Sequence, residues 1–518
     1  MRTEPRDRTV STVNRTSVAD QELPVASGDL VAALDLGSNS FHLIVAQLRG
    51  EEVHIVDRHK ESVRLAAGLT EDGELSQEAQ ATALACLERM AQRLRTLPKG
   101  RIRVVGTNTL RRARRSEVFL QRAAAVLGHP IQVISGIEEA RLIYGGVVQD
   151  MAPGVQRLVI DVGGGSTELI IGDDDGPKQL ESLYMGCVSC TRRYFDDGRI
   201  TRKRINRAVI SALVELEPVI TRFRDAGWSE AWGASGTVRA VDEAACGIDQ
   251  DGITPEAIVE LQRICIDAGH VDELAHVLAV GADRAPVFIG GLCVVAGVVE
   301  ALGVERIAPA GGALREGLLY ELIGRIQLRD VRTETVSRLQ DRYAVDREHA
   351  ARVAVTATAL LGSVREAWDL GEDEAADLLR WACALHEIGL AIAHSGYHRH
   401  GEYVLRNADL PGFSRDEQAA VASLVRSHRR KITRDVLAHC FPPYDHWIPR
   451  LICLLRLAVI LNRSRAPEPA SAPRIDVGER RLALTFGEAW IQTHALTEAD
   501  LGEEIQHLRN LGIEMSYA

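Results

Sequence analysis

The stretch VAALDLGSNSFHLIVAQL at 31–48, with its echo RLVIDVGGGSTELIIG at 157–172, decides how this chain is read. Each copy runs an apolar strand into an Asp, turns through glycine and a hydroxyl side chain, and leaves on a second apolar strand. The repetition predicts two related half-domains facing one cleft. Glycine lets the backbone approach a ligand with no Cβ in the way, and successive turn amides can cradle phosphate oxygens. Asp35 and Asp161 end the leading strands, where a metal ion or a water has to be held. The expected phosphate contacts are Asp35, Gly37, Ser38 and Asn39 on one side, and Gly163, Gly164, Gly165 and Ser166 on the other. A single Gly-rich turn is weak evidence; two matched copies led by Asp predict a phosphate site.

At 518 residues the chain exceeds one hydrophobic core, and its size predicts roughly three or four domains. Its 46% hydrophobic and 26% charged content is that of an ordinary soluble protein. A net charge of −11 argues against a general nucleic-acid binder. No apolar run reaches the ~20 residues of a membrane span. The opening MRTEPRDRTVSTVNRTSVADQELP has no apolar signal region, and residues 1–26 are expected to be a disordered lead-in. Nine scattered cysteines in apolar contexts suit reduced thiols in a cytoplasm. Cys187 and Cys190 form a lone C-x-x-C with no second pair to complete a zinc site, and are read as incidental.

Outward from the first loop, strands are expected at 53–58 and 62–65, then a helix at 77–94, a strand at 101–107 and a helix at 116–127. A strand at 131–135 and a helix at 138–148 follow. This alternation after an antiparallel opening predicts an α/β lobe over 27–142. The pattern restarts at Arg157 and gives a second lobe over 143–327. From 328 to 465 the periodicity is helical and Gly-rich loops disappear, which predicts an all-α domain. RAPEPASAPR at 465–474 reads as a linker, and 475–518 as a small module of strands ending in a helix.

Phosphoanhydride hydrolysis needs donors or a metal on the phosphoryl oxygens, a water in line, and a base to orient it. Asp161 is the leading Mg²⁺ ligand, because a hard cation prefers carboxylate oxygen beside phosphate. Glu168 either joins it or is an ordinary polar residue on an alternating strand. In ISGIEEARLIYGG (134–146), Ser135 and Glu138 fit a capping box. Glu139 is left over in the first helical turn, where the dipole alone favours a carboxylate. GTNTLRRARRS (106–116) carries four arginines, any of which suits forked binding to phosphate or a solvated loop.

The helical domain holds half of the sixteen histidines. HEIG at 386–389 resembles the H-D-x-G core of metal-dependent HD phosphohydrolases, with REHAARVA (347–354) as the leading His helix. Glu387 replaces the Asp of that pattern, and Asn462 stands where a closing Asp is expected. Two altered ligands favour a retired scaffold over a working di-metal site. Between 399 and 465, twelve Arg/Lys face six Asp/Glu, a local balance of +6. Its densest part, RSHRRKITR at 426–434, contributes Arg426, His428, Arg429, Arg430 and Lys431 to a track for a long polyanion. Aromatic residues for base stacking are few there, so a phosphate polymer suits it better than RNA.

DLGSNSFH (35–42), GTNTLR (106–111), SGIEEARLIY (135–144), DVGGGSTEL (161–169), MGCV (185–188), GASGT (233–237) and GGALREG (311–317) together resemble the exopolyphosphatase and guanosine pentaphosphate phosphohydrolase (Ppx/GppA) family. The resemblance runs from about residue 30 to the end. It implies two ribonuclease-H-like lobes of the actin/sugar-kinase superfamily, followed by an HD-like helical domain and a small α+β domain. It makes Glu139 the water-activating base and carries the family's loop residues onto Asp161, Ser166 and Glu168. It selects Arg111 among the four arginines and makes MGCV a lobe-wall segment. A divalent ion such as Mg²⁺, an accompanying K⁺, a homodimer and a cytoplasmic enzyme, at most peripheral to a membrane, are implied as well. The unbroken GGGST and the histidine-rich HSGYHRHGEYVL (394–405) look more like the long exopolyphosphatases, which release orthophosphate processively from polyphosphate. RLAAGL (64–69) and RLIY (141–144) are equally at home in the guanosine pentaphosphate enzymes. Guanosine pentaphosphate hydrolysis, alone or as a second activity, is the alternative. A nucleotide-sensing protein without catalysis, or a kinase of the same superfamily, is the reading from another class.

Overall fold

A computed structural model describes residues 29–518 apart from 50–51, 71, 150, 249, 328–329, 372, 434–435, 437–441, 467–472, 488–489 and 491–492. The lead-in expected at 1–26 and most of the stretch at 465–474 lie outside the described residues.

The first sheet comprises β1 (Asp29–Leu36), β2 (Ser40–Arg49), β3 (Glu52–Ser62), β4 (Ile102–Gly106) and β5 (Gln132–Val133), in the order β3-β2-β1-β4-β5. The second comprises β6 (Arg157–Val162), β7 (Thr167–Asp173), β8 (Gly176–Leu183), β9 (Glu230–Gly233) and β10 (Ala308–Pro309), in the order β8-β7-β6-β9-β10. In each, a three-stranded antiparallel meander is extended by two parallel strands. Asp35 pairs with His42 and Asp161 with Glu168, so the two loop motifs occupy matching ladder positions. His42 therefore stands in the first lobe where Glu168 stands in the second.

Some elements differ from expectation. The strands predicted at 53–58 and 62–65 are one edge strand, β3, followed by a short 3₁₀ turn at Leu65–Gly68. Its polar run HKES stays in the ladder because an edge strand leaves a face in water. The strand at 131–135 shrinks to Gln132–Val133, and 108–112 forms a short helix where a loop was expected.

Alternate residues of β1 serve two cores. Ala32, Leu34 and Leu36 pack within the first lobe. Val31 and Ala33 join Ile44, Val159, Ile170 and residues of the helices Gly136–Val148 and Leu314–Ile326 in a core shared by both sheets. The expected lobe division between 142 and 143 falls inside the first of these helices. The two helices meet backbone to backbone: a Cβ at Gly146 would collide with the Ala313 carbonyl, and one at Gly317 with the Leu142 carbonyl. Only glycine permits that approach.

The second lobe has its own core around the helix Ala285–Leu302. Among the described residues this is the one helix long and apolar enough to cross a membrane, and 83% of that span is buried inside the protein. The helical domain contains Val331–Arg342, Arg347–Val364, Asp373–Leu385, Tyr397–Asn407, Arg415–Ser427 and Tyr444–Leu461. The final module sets β11 (Arg474–Val477), β12 (Arg481–Thr485) and β13 (Glu514–Tyr517) beside the helix Ala495–Arg509. Its Leu482, Leu484, Leu501, Leu508 and Met515 belong to the same apolar core as the helical domain. The buried pair Arg456–Glu504, at 2.5 and 2.7 Å, fastens the two together.

The backbone contact between the two central helices generates a direct test. Gly317→Ala should destabilise the protein by about 1–3 kcal/mol or more, as an overpacked interior does. Denaturant unfolding measures it, and wild-type stability would contradict the contact.

Candidate active site

The two Gly-rich loops face each other across a cleft of about 830 Å³. Asp35, Gly37, Ser38, Asn39, Glu139, Asp161, Gly163, Gly164 and Ser166 all line it. Gly165 does not: its backbone packs against Asn108, and a Cβ there would stand 2.6 Å from the Asn108 side-chain oxygen. A Cβ on Gly164 would lie 3.0 Å from that of Ser38, so the loops nearly touch at one end.

Both loops are held by their carbonyls, in the same manner. The Ser38 and Asn39 carbonyls accept from the amides of Ala66, Val63 and Arg64. The Gly163 and Gly164 carbonyls accept from Cys187, Val188 and Ser189. Engaging the oxygens in flanking segments removes the groups that would repel a phosphate and favours an amide-lined loop. The MGCV segment is thus the clamp on the second loop, and Cys187 and Cys190 are buried free thiols.

Glu139 sits in the first turn of the helix Gly136–Val148, whose N-cap Ser135 accepts from the Glu138 amide at 3.1 Å. The expected capping box does not close. The Glu138 carboxylate instead takes both Arg141 nitrogens at 2.8 Å and the Gly412 amide at 2.9 Å. Glu139 turns to the cleft, where Arg111 Nη1 donates to its Oε2 at 2.8 Å. Arg111 also donates to the Ile134 carbonyl at 3.1 Å and is absent from the cleft lining. Expected on the phosphate oxygens, it instead stands beside the candidate base, with Nη1 shared between the Glu139 carboxylate and the Ile134 carbonyl.

The carboxylates repel one another. Burial and then the Glu139 charge push Asp35 up to about 8 and Asp161 up to about 7. Burial, followed by Glu139 and Asp161, holds Glu168 well above the usual carboxylate range. Asp35 Oδ1 is buried with no hydrogen-bond partner. An acidic floor with an orphaned oxygen fits a hard divalent cation, with Asp35 and Asp161 facing the cleft to hold it. Glu168 is less direct: it is buried outside the cleft lining and accepts from Ser182 Oγ at 2.8 Å. No three of these carboxylates bring ligand oxygens within 4.8 Å of one another. Phosphate oxygens and water would complete the shell of such an ion.

The cleft also has a cationic lining, which was missed in the sequence. Arg239, Arg284 and Arg315 line the cleft. Burial and then the charges of Arg315, Lys60, Arg284 and Arg239 drive the His42 imidazole down to about 3. His42 Nδ1 lies 3.2 Å from Arg315 Nη1. Arg239 and Arg315 stood within or beside the quoted motifs GASGT and GGALREG; Arg284, in GADRAP, carried no local signal.

Of the expected basic track, one member is buried and four keep some exposure. His428 is 2% exposed, with Nδ1 donating to the Val425 carbonyl at 2.6 Å. Arg426 is paired with Glu402 at 2.9 Å, and Arg429 lies 4.5 Å from the Tyr397 ring centre. Arg430 and Lys431 are exposed. The segment closes the helix Arg415–Ser427, and the His428 ring turns inward to donate to the Val425 carbonyl in its last turn.

The raised carboxyls generate a pH prediction. Asp35 and Asp161 hold protons in the folded chain up to about pH 8 and 7, and in the unfolded chain only to about 3.8. The folded state binds more protons in that window, so ion-free stability falls as pH rises through it. A divalent ion displaces those protons, and the rise in Tm produced by Mg²⁺ should therefore grow between about pH 6 and pH 8. Thermal unfolding with and without chelator measures this; a pH-independent Mg²⁺ effect would contradict it. Asp35→Asn should raise the Tm of the ion-free protein at about pH 8.

Comparison with known proteins agrees with this architecture. The Ppx/GppA phosphatase family model matches residues 44–326, and the model for Ppx/GppA phosphatase, domain III matches residues 331–505. The chain is 39% identical over 493 residues to the guanosine-5'-triphosphate,3'-diphosphate pyrophosphatase of Vibrio cholerae, spanning 95% of this chain and 98% of that one. It is 38% identical to the enzyme of the same name from Photobacterium profundum, spanning 93% and 97%. Among solved structures, an exopolyphosphatase from Cytophaga hutchinsonii aligns over 57% of this chain and 98% of its own, with a TM-score of 0.51 and 22% identity, and supports the fold. The paired actin-like lobes, the acidic floor between their loops and both family matches lead to one conclusion: this chain belongs to the Ppx/GppA phosphatase family.

Proposed function

We propose that this chain removes the terminal phosphate of a polyphosphorylated substrate by hydrolysis, with Glu139 as the base. The observation that carries the reading is the placement of Glu139, in the cleft between both Gly-rich loops and fixed at 2.8 Å by Arg111. A water beside Glu139 attacks the terminal phosphorus, and its proton passes to the carboxylate. The bridging P–O bond breaks, orthophosphate forms, and the shortened chain departs on its own oxygen. Mg²⁺ held by Asp35 and Asp161 would supply charge neutralisation on the phosphoryl oxygens. Arg239, Arg284 and Arg315 offer forked donors to the phosphates behind the terminal one.

Inorganic polyphosphate is the substrate we favour. The unbroken GGGST loop supports it, and the guanidinium groups lining the cleft suit phosphates rather than a base. Arg430 and Lys431 are the exposed remnant of the proposed track for a long chain. Guanosine pentaphosphate is the second reading, favoured by the printed activity of relatives 38–39% identical over nearly the whole chain.

Phosphate release from long-chain polyphosphate and from guanosine pentaphosphate, measured side by side, separates the two. Faster turnover of polyphosphate is expected, and turnover confined to the nucleotide would overturn the choice. Glu139→Gln should fold normally and lose about 10²–10⁴-fold in kcat, as loss of a general base does. Near-wild-type turnover in that variant would remove Glu139 from the mechanism. Phosphate release that depends on Glu139 also excludes a purely sensing role.

A further inference from the structure

We propose that His349, His386 and Glu387 hold one divalent transition-metal ion inside the helical domain. The three side chains are buried, and each offers a ligand atom lying within 4.8 Å of the others. They come from two elements, the helix Arg347–Val364 and the turn that follows Asp373–Leu385.

Two imidazole nitrogens in this cluster lack any partner. His386 Nδ1 donates to the Cys383 carbonyl at 2.8 Å, and its Nε2 is buried with no hydrogen bond. His349 Nδ1 is buried and unpartnered as well. Buried polar atoms are almost always satisfied, so two orphans beside a carboxylate mark a missing ligand. A ring fixed through one nitrogen by a backbone carbonyl, with the other left open, is the usual state of a metal-bound histidine.

The surroundings admit one ion rather than two. Arg465 Nη2 lies 2.5 Å from Glu387 Oε1, and Nη1 lies 2.9 Å from Asp346 Oδ2. That fixed guanidinium stands on one side of Glu387 and would repel a second cation. Asn462 gives its amide to Thr356 Oγ1 and the Ala458 carbonyl, both at 2.8 Å, in place of a bridging carboxylate. His428 packs with its ring centre 5.3 Å from that of His386, but its Nδ1 is spent on the Val425 carbonyl. Two nitrogens and one oxygen select Zn²⁺, Co²⁺ or Fe²⁺ over Mg²⁺. The ion pins the leading helix of the domain to the 386–387 turn and is separate from the phosphate cleft.

The test uses the full-length protein, stripped with chelator and titrated with Co²⁺ and with Zn²⁺. One equivalent of tightly held ion per chain is expected, with visible ligand-field bands for Co²⁺. His349→Gln and His386→Gln should each lose that equivalent, whereas His394→Gln, at an exposed site, should keep it. A wild-type protein without Co²⁺ bands overturns the site without recourse to any variant. Full retention of the ion in the His349→Gln/His386→Gln double variant overturns it equally.

Discussion

Two consecutive buried glutamates on one helix have to be neutralised in opposite directions, and the rest of the molecule is arranged around that requirement. Glu138 and Glu139 are 1% and 8% exposed. An unpaired buried carboxylate costs several kcal/mol, so each needs a cation or amide of its own. Glu138 obtains Arg141 and the Gly412 amide, and Glu139 obtains Arg111. Arg141 also reaches Glu321 on the helix Leu314–Ile326. Burial disfavours the ionised form of Glu321, yet Arg103, Arg141 and Arg325 together hold its carboxyl well below the ordinary range. Arg325 in turn donates to the Gly412 carbonyl at 2.8 Å, and Arg415 to the Arg111 carbonyl at 3.2 Å. The first lobe, the central helix pair and the 412–415 loop of the helical domain therefore all bear on the position of one carboxylate.

That position matters because the cleft is bipolar. Asp35, Asp161 and Glu139 line it together with Arg239, Arg284 and Arg315. Ionised carboxylates repel phosphate oxygens unless a proton or a cation neutralises them, whereas the guanidinium groups attract them. On the proposed reading, an elongated polyanion would set its terminal group toward the acids and its remaining phosphates along the arginines. The ladder makes the asymmetry explicit: matched positions in the two lobes carry His42 and Glu168. Burial and then the surrounding cations drive the His42 proton off, and burial and then the surrounding anions drive one onto Glu168.

The loops were legible in the sequence because their chemistry is local. Asp, glycine and a hydroxyl between two apolar strands describe one turn, and that turn recurs in register. Family likeness, carried by several ordered motifs, supplied Glu139, whose first-turn position alone was equally that of a surface residue. Partnerships across the chain were not legible. Arg111 was expected to meet phosphate but is tied to Glu139, 28 positions away. Glu138 was expected to cap its own helix but reaches Gly412, 274 positions away. His428 belonged to a basic run whose inward half only tertiary packing reveals. The cationic lining escaped for a related reason: Arg239, Arg284 and Arg315 come from three separate segments of the second lobe and meet only through its tertiary packing.

The most direct test of this arrangement is a structure of the Glu139→Gln variant with a short polyphosphate chain bound. The terminal phosphate should lie between the 37–39 and 163–166 loops, beside residue 139, with the chain leading toward Arg239, Arg284 and Arg315. A terminal phosphate on the arginines, or a chain bound outside the space between the loops, would contradict the account.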